Sequence, residues 1–388
     1  MRKMGDYPDI SNAHMAMAKK YSSTRLLGPP ICDELVSLVE HMFSEEEAQV
    51  ARNLKPWRPT TAKKIAAAAG RPLREVEAVL DVLAHEKHVL LSFGMGDKER
   101  YCILPIIPGT FESVLIRKSA DSVTPWHVRF AELHEELFST GFTVEYLHKP
   151  VDAVRYLPVD EAVQAQPMAY PSDHLEAILD RYEHFAVGVC QCRLTKQLTG
   201  EGCGRPLEVC TAMGDWVPEM VRRDRMKQAS REDVLEIKRS AEKEGLVTWM
   251  MNEESGKFTT ASCSCCGCCC GALRSISEFN TPGMIAPPHF MPGIDHQTCN
   301  SCAKCVKVCP MGALVILEEG DEKRLMHKPE RCIGCGLCVV ACPEEALTLK
   351  EVEGYKEPPS GWPAYLAKYA RNYLINCWKV WSSRRHSH

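Results

Sequence analysis

Two stretches of this chain carry the same cysteine spacing, offset by 33 residues. Residues 299–310 read CNSCAKCVKVCP and residues 332–343 read CIGCGLCVVACP, both C-x2-C-x2-C-x3-C-P. This pattern restricts the local fold severely. Three thiols at two-residue gaps wrap one centre in a tight loop, and a fourth follows a short helical turn. The small residues between them, Ser301, Ala303, Gly334 and Gly336, let backbone N–H groups approach the sulfurs. Pro310 and Pro343 stop each turn. Zinc is the plainest alternative. Zinc sites use four ligands in C-x2–4-C pairs, which leaves the third equally spaced cysteine and the distant C-P unexplained.

The repeat resembles the bacterial-type two-cluster ferredoxin over residues 297–349. The resemblance implies two [4Fe–4S] clusters and one-electron transfer at low potential. It also implies a small α+β unit of two hairpins and two short helices, with ALVILEE, KRLMHK and ALTLKE as strands. In that family the fourth cysteine of each run ligates the other cluster. Carried onto this chain, one cluster takes Cys299, Cys302, Cys305 and Cys342. The other takes Cys332, Cys335, Cys338 and Cys309.

The remaining cysteines are as unusual. The chain holds 21, of which 18 fall between Cys190 and Cys342. A secreted disulfide scaffold would be short and would follow a signal peptide. The N-terminus has neither an apolar h-region nor a twin-arginine pair. No run of about 18 apolar residues suggests a membrane span. The reading is a reduced, cytoplasmic compartment in which thiolates hold metal. At 45% hydrophobic and 25% charged, the chain is composed like a soluble globular protein, and a formal charge of -4 selects no partner.

Residues 263–271 read CSCCGCCCG, six cysteines in eight residues. Cys263, Cys266 and Cys269 repeat the C-x2-C-x2-C register, but Leu273 stands where a fourth ligand belongs. The upstream set Cys190, Cys192, Cys203 and Cys210 is the natural source of that ligand. Cys265 and Cys268 form a further C-x2-C pair. Neighbours in an extended chain face opposite sides, so Cys265 and Cys266 suit different centres. One or two further iron–sulfur clusters, or zinc instead, are therefore expected here. The pieces CQCR at 190–193 and CSCCGCCC at 263–270, followed by the ferredoxin repeat, resemble larger multi-cluster iron–sulfur proteins of anaerobic bacteria. That resemblance implies cluster binding only. Glycines in GEGCGRPLE lack the context of a nucleotide loop, and no flavin or nicotinamide signature is seen.

The expected fold class is α+β multidomain. Residues 1–43 read as a helical extension. Residues 44–105 read helix, helix, helix, hairpin, which resembles a winged helix-turn-helix domain. Its third helix carries Glu75, Glu77, Asp81 and Glu86, so DNA is a poor partner and a protein-interaction role is the better reading. Residues 106–186 read as a helical connector, with a helix after Pro125 and another capped by Ser172 or Asp173. His127 and His134 read as core or solvated histidines. Residues 187–296 form a Cys-rich domain, with a helix from Ser230 to Gly245. Residues 350–388 end in an aromatic and basic helix. Trp362, Tyr365, Leu366, Tyr369, Tyr373 and Cys377 share one face, widened by Leu374, Trp378 and Trp381. This stripe suits a partner subunit, a membrane surface on the inner face, or the protein's own surface.

The expected function is an iron–sulfur electron-transfer protein that relays single electrons to or from a partner oxidoreductase, rather than a stand-alone enzyme. Two other readings remain open: a redox-sensing winged-helix regulator, and an oxidoreductase using an unusual cluster in residues 187–270.

Overall fold

The computed structural model describes residues 7–146, 152–164, 166–253, 260–281, 284–320 and 322–386. The chain opens with α1 (Asn12–Tyr21), α2 (Asp33–Met42) and α3 (Glu45–Ala51). The Ser44 hydroxyl accepts from Glu47 N (3.2 Å), and the Glu47 carboxylate accepts from Ser44 N (2.6 Å). This reciprocal cap satisfies two backbone donors that the first turn leaves over. Next come β1 (Thr60–Thr61), α4 (Ala62–Ala69), α5 (Leu73–Asp81), β2 (Leu91–Phe93) and β3 (Arg100–Cys102). Gly70, at φ +64°, ends α4 in the left-handed conformation that glycine adopts without strain. The strands form one antiparallel sheet in the order β1-β3-β2. β1 has no counterpart in the sequence reading, because two residues carry no periodicity. α6 (Phe111–Leu115) and α7 (Pro125–Ser139) follow. One core runs through all of this, from Met17, Tyr21 and Leu35 through Val50 and Leu80 to Phe130 and Leu137.

The middle of the chain builds a six-stranded antiparallel sheet. Its elements are β4 (Val154–Tyr156), α8 (Asp160–Val163), α9 (Leu175–Leu179), β5 (Phe185–Gly188), α10 (Gln191–Leu198), β6 (Cys210–Met213), α11 (Val217–Arg222), β7 (Lys227–Ala229), α12 (Arg231–Lys243), β8 (Val247–Met251), β9 (Thr260–Cys265) and α13 (Gly271–Ser277). The strand order is β4-β8-β9-β6-β5-β7. α12 starts at Ser230 with Asp233 closing its cap, as the spacing predicts. α9 departs from expectation. It follows His174, and neither Ser172 nor Asp173 caps it. The Asp173 carboxylate instead accepts from Tyr170 N and meets His289 Nδ1 at 2.7 Å.

The last part contains β10 (Phe290–Ile294), α14 (Lys304–Val308), β11 (Leu314–Glu319), β12 (Glu322–His327), α15 (Leu337–Val340), β13 (Leu347–Glu351) and α16 (Trp362–His386). β10 pairs with β13 and β11 with β12, both antiparallel. The whole is mixed α+β with small sheets. Among the described residues no helix is long and apolar enough to cross a membrane.

α16 divides its apolar residues differently from the single face drawn from the sequence. The Tyr373 hydroxyl donates to Arg25 O, the Cys377 thiol to Thr24 O, and Val380 is buried against the N-terminal core. Leu366, Leu374, Trp378 and Trp381 point outward, each more than 40% exposed. Helical geometry explains this. Residues four apart stack along one line, and 366, 374 and 378 lie on a line beside that of 365, 373 and 377. The side chains of Trp362 and Tyr369 lie outside the described residues.

Candidate metal and cluster centres

The two cysteine repeats fold around two separate apolar hollows. The first is lined by Cys299, Cys302, Cys305 and Cys342, with Ile316, Leu325 and Leu347 behind them. The second is lined by Cys309, Cys332, Cys335 and Cys338, with Met311, Ile333 and Leu337. Each hollow thus draws three thiols from one repeat and the fourth from the other. The loop backbones match as well. Ser301, Ala303, Gly334 and Gly336 all have φ between +54° and +74°. Such left-handed residues turn successive N–H groups toward one point and make a concave seat for an anion. Ala313 N donates to the Cys309 sulfur (3.2 Å). Burial pushes the Cys332 thiol up to about 11 and Cys335 up to about 12. These thiols ionise when a cation replaces their protons. Four thiols, apolar walls and inward N–H groups fit a [4Fe–4S] cluster in each hollow.

Residues 298–346 match the family model of the 4Fe-4S dicluster domain. This dicluster segment is an iron–sulfur, ferredoxin-like unit. Nothing among curated proteins matches the chain.

The dicluster segment is asymmetric in its surroundings. Cys302 is exposed, whereas Cys335 and Cys338 are buried. The second repeat packs inward, with Val159 N donating to Cys335 O (2.9 Å). A Cβ on Gly334 would lie 2.4 Å from the Pro288 side chain, and one on Gly336 would lie 2.7 Å from Ala162. Glycine is required there by close approach as well as by backbone angle. The first repeat faces outward and tolerates Ser301 and Ala303 at the matching places.

The ten cysteines between Cys190 and Cys270 gather at one end of the large sheet, in two groups. Cys190 sits at the start of α10 and Cys192 in its first turn. Cys210 opens β6, and Cys263 and Cys265 share one face of β9. Cys270 sits at the start of α13. These six line a cavity of about 440 Å³, together with Glu112, Phe138, Trp249 and Met284, and Cys266 and Cys269 border it from the side. The Cys210 and Cys263 sulfurs are 3.6 Å apart. The second group is Cys203, Cys266, Cys268 and Cys269, whose sulfurs all lie within 4.8 Å of one another.

The register read from the sequence is therefore distributed over both groups. Cys263 stands with Cys210, while Cys266 and Cys269 gather with Cys203 and also border the cavity that Cys263 lines. Cys265 and Cys268 likewise part company. The cause is local: β9 ends at Cys265, and the chain turns through 266–270 before α13 begins. The two-residue rhythm belongs to no single element. Cys270, unassigned from the sequence, joins the six-thiol group because its place at a helix start aims it back at the sheet.

Charge at this end of the sheet is lopsided. Hydrogen bonds from neighbouring thiols, Cys210 first, hold the Cys263 pKa well below its usual value, and Cys192 does the same for Cys270. Gln191 Nε2 donates toward the Cys210 sulfur (3.8 Å), and Tyr156 Oη lies 3.7 Å from that of Cys270. Burial keeps Tyr156 protonated, so it can donate to a thiolate. Two cations lie beneath the thiols. Lys238 is fully buried, reaches Ser264 Oγ (3.3 Å), and lies near Cys263, Cys210 and Cys265. Arg193 is 2% exposed, donates to Ser264 O (2.6 Å) and to Pro206 O, and lies near Cys190 and Cys266. Among the described residues neither forms an ion pair with a carboxylate. Glu242, on the same helix, is a further electrostatic neighbour of Lys238, and thiolates at this end of the sheet would favour the charged form of both cations. These two cations are candidate site residues that the motifs do not mark; the only signal was the arginine that closes CQCR.

Proposed function

We propose that this protein is an iron–sulfur electron carrier with three cluster sites. Cys299, Cys302, Cys305 and Cys342 hold the outer one. Cys309, Cys332, Cys335 and Cys338 hold the second. Members of the set Cys190, Cys192, Cys210, Cys263, Cys265 and Cys270 hold the third. Bound clusters supply one-electron redox chemistry. The protein supplies thiolate ligands, N–H donors, and the countercharge of Lys238 and Arg193. The observation that carries the reading is the interleaving of the two repeats, three thiols plus one, around two hollows. For the third site it is the pair of buried cations beneath six thiols. α3 to α5 with β1 to β3 are read as a winged-helix module that binds protein. The outward stripe of α16, beside basic Arg371 and Lys379, is read as a dock for an acidic redox partner.

The test is metal content and spectroscopy of anaerobically purified protein. About twelve irons and as many sulfides per chain are expected. Electron paramagnetic resonance of the reduced protein should show a signal that Cys190→Ser alters and Cys302→Ser leaves in place. Eight irons, with the six upper thiols all reacting as free thiols, would remove the third site. A chain with no iron would overturn the reading altogether.

A second reading rests on the cavity. At about 440 Å³ it falls in the size range of small-molecule sites, and its lining is mostly apolar. The third site is then a reduction centre for a small substrate, fed by the other two. A small molecule that shifts the Cys190-dependent signal on binding would favour it. A signal unmoved by any ligand, with every position thiolate-bound, would leave the carrier reading alone.

A further inference from the structure

We infer that Cys203, Cys266, Cys268 and Cys269 form a separate four-thiolate site for a single zinc ion, distinct from the cluster sites. Spacing is the first reason. Tetrahedral zinc with Zn–S bonds of about 2.3 Å sets its sulfurs about 3.8 Å apart. The four sulfurs lie within 4.8 Å of one another, and those of Cys268 and Cys269 are 3.6 Å apart. That frame suits one ion at its centre. The chain provides its own comparison: among the described residues this is the only ligand group so closely gathered, so the two sets of the dicluster segment are wider. A cube of iron and sulfide needs the wider frame.

Connectivity is the second reason. Closed sets of four cysteines are the form that structural zinc takes. Three ligands come from the turn between β9 and α13, and the fourth from the loop at Gly202–Gly204, where Gly204 has φ +72°. Neither segment has regular structure to hold it. An ion at their junction ties the loop after α10 to the turn that carries Gly267. Zinc with four thiolates bears a net charge of −2. Arg193, deeply buried beside Cys266 and Cys203, offsets part of it, and exposed Cys268 leaves the remainder at the solvent. The site is a clasp and takes no part in redox chemistry, because zinc has one stable oxidation state.

The experiment is simultaneous zinc and iron analysis of the anaerobically purified full chain, with Cys203→Ser and Cys268→Ser. About one zinc per chain is expected in the wild type. Each variant should lose it and keep its iron. Zinc X-ray absorption on the wild type should give four sulfurs at about 2.3 Å, a readout that does not depend on the variants folding. Wild type without zinc, nitrogen or oxygen ligands on the zinc, or variants that lose about four irons and keep zinc would each overturn the assignment. Iron content reads the cluster proposal separately, so either can fail alone.

Discussion

Lys238 and His134 are both buried ionisable residues, and burial lowers the pKa of each among different neighbours. For Lys238, burial lowers the pKa, and nearby Cys263, Cys210 and Cys265 oppose that shift, since thiolates there would favour the charged ammonium. If those thiols hold an anionic centre, Lys238→Met removes a countercharge that favours each added electron. The upper centre's reduction potential should then fall by tens of millivolts, about 59 mV corresponding to 1.4 kcal/mol for one electron. A redox titration followed by electron paramagnetic resonance measures it, and the dicluster potentials should stay put. An unchanged potential would mean that Lys238 is not a countercharge to that centre. His134 has no charge to keep. It stacks on Phe111 with ring centroids 4.0 Å apart, and neither ring nitrogen has a hydrogen-bond partner. Burial lowers its pKa from 6.5 to about 4. The unfolded chain therefore binds the proton first as pH falls, and stability drains away between about pH 6.5 and 4. His134→Leu should cancel a loss of about 2–3 kcal/mol at the acid end. Denaturant unfolding followed by far-ultraviolet circular dichroism, at pH 7 and pH 4.5, checks it. Equal acid sensitivity in both proteins would mean the histidine is not neutral when folded.

At the scale of elements, what was legible in the sequence was local. The Ser230–Asp233 cap, Pro125 at the start of α7, and Gly70 after α4 mark their helices because each rule acts within one turn. The two repeats are legible for the same reason, since each binding loop is a short contiguous segment. The six-stranded sheet was not. Its order joins β4 to β8 and β7 to β5, and those pairings depend on residues nearly a hundred apart or on three-residue edge strands. The division of the upper cysteines was hidden by the same distance. Which thiols face Cys210 is decided by the register of β9 on β6, Thr211 opposite Ser262, and by where β9 stops. No spacing within CSCCGCCCG encodes that. His174, in place of Ser172 or Asp173, before α9 is a smaller case: the Asp173 carboxylate is claimed by Tyr170 N and His289, a partner 116 residues away.

Across the whole molecule the candidate centres follow an order from outside to inside. The hollow with exposed Cys302 lies outermost, and the hollow with buried Cys335 backs onto β4 and α8. Cys265 and Cys270 of the upper group share one apolar core with Cys335 and partly buried Cys309. A tight joint lies between Gly267 and Pro310, the residue after Cys309. A Cβ built on Gly267 would lie 1.9 Å from the Pro310 carbonyl oxygen. Backbone cannot yield that much as a flexible side chain would, so even alanine must push the two segments apart. Gly267→Ala should leave the helices, the large sheet and the outer site intact. It should loosen the loop that carries Cys309 and, on the other side of the contact, the turn that carries Cys266, Cys268 and Cys269. Iron should then pass to an iron(II) chelator several-fold faster from the second site than in the wild type, while the outer site releases it at the wild-type rate. Chelation kinetics read alongside the resonance signal of each site would resolve the two. Equal release from both sites would show that the Gly267–Pro310 contact does not brace the second hollow. Faster release from the second alone would make this contact the mechanical link between the cysteine-rich sheet and the dicluster segment.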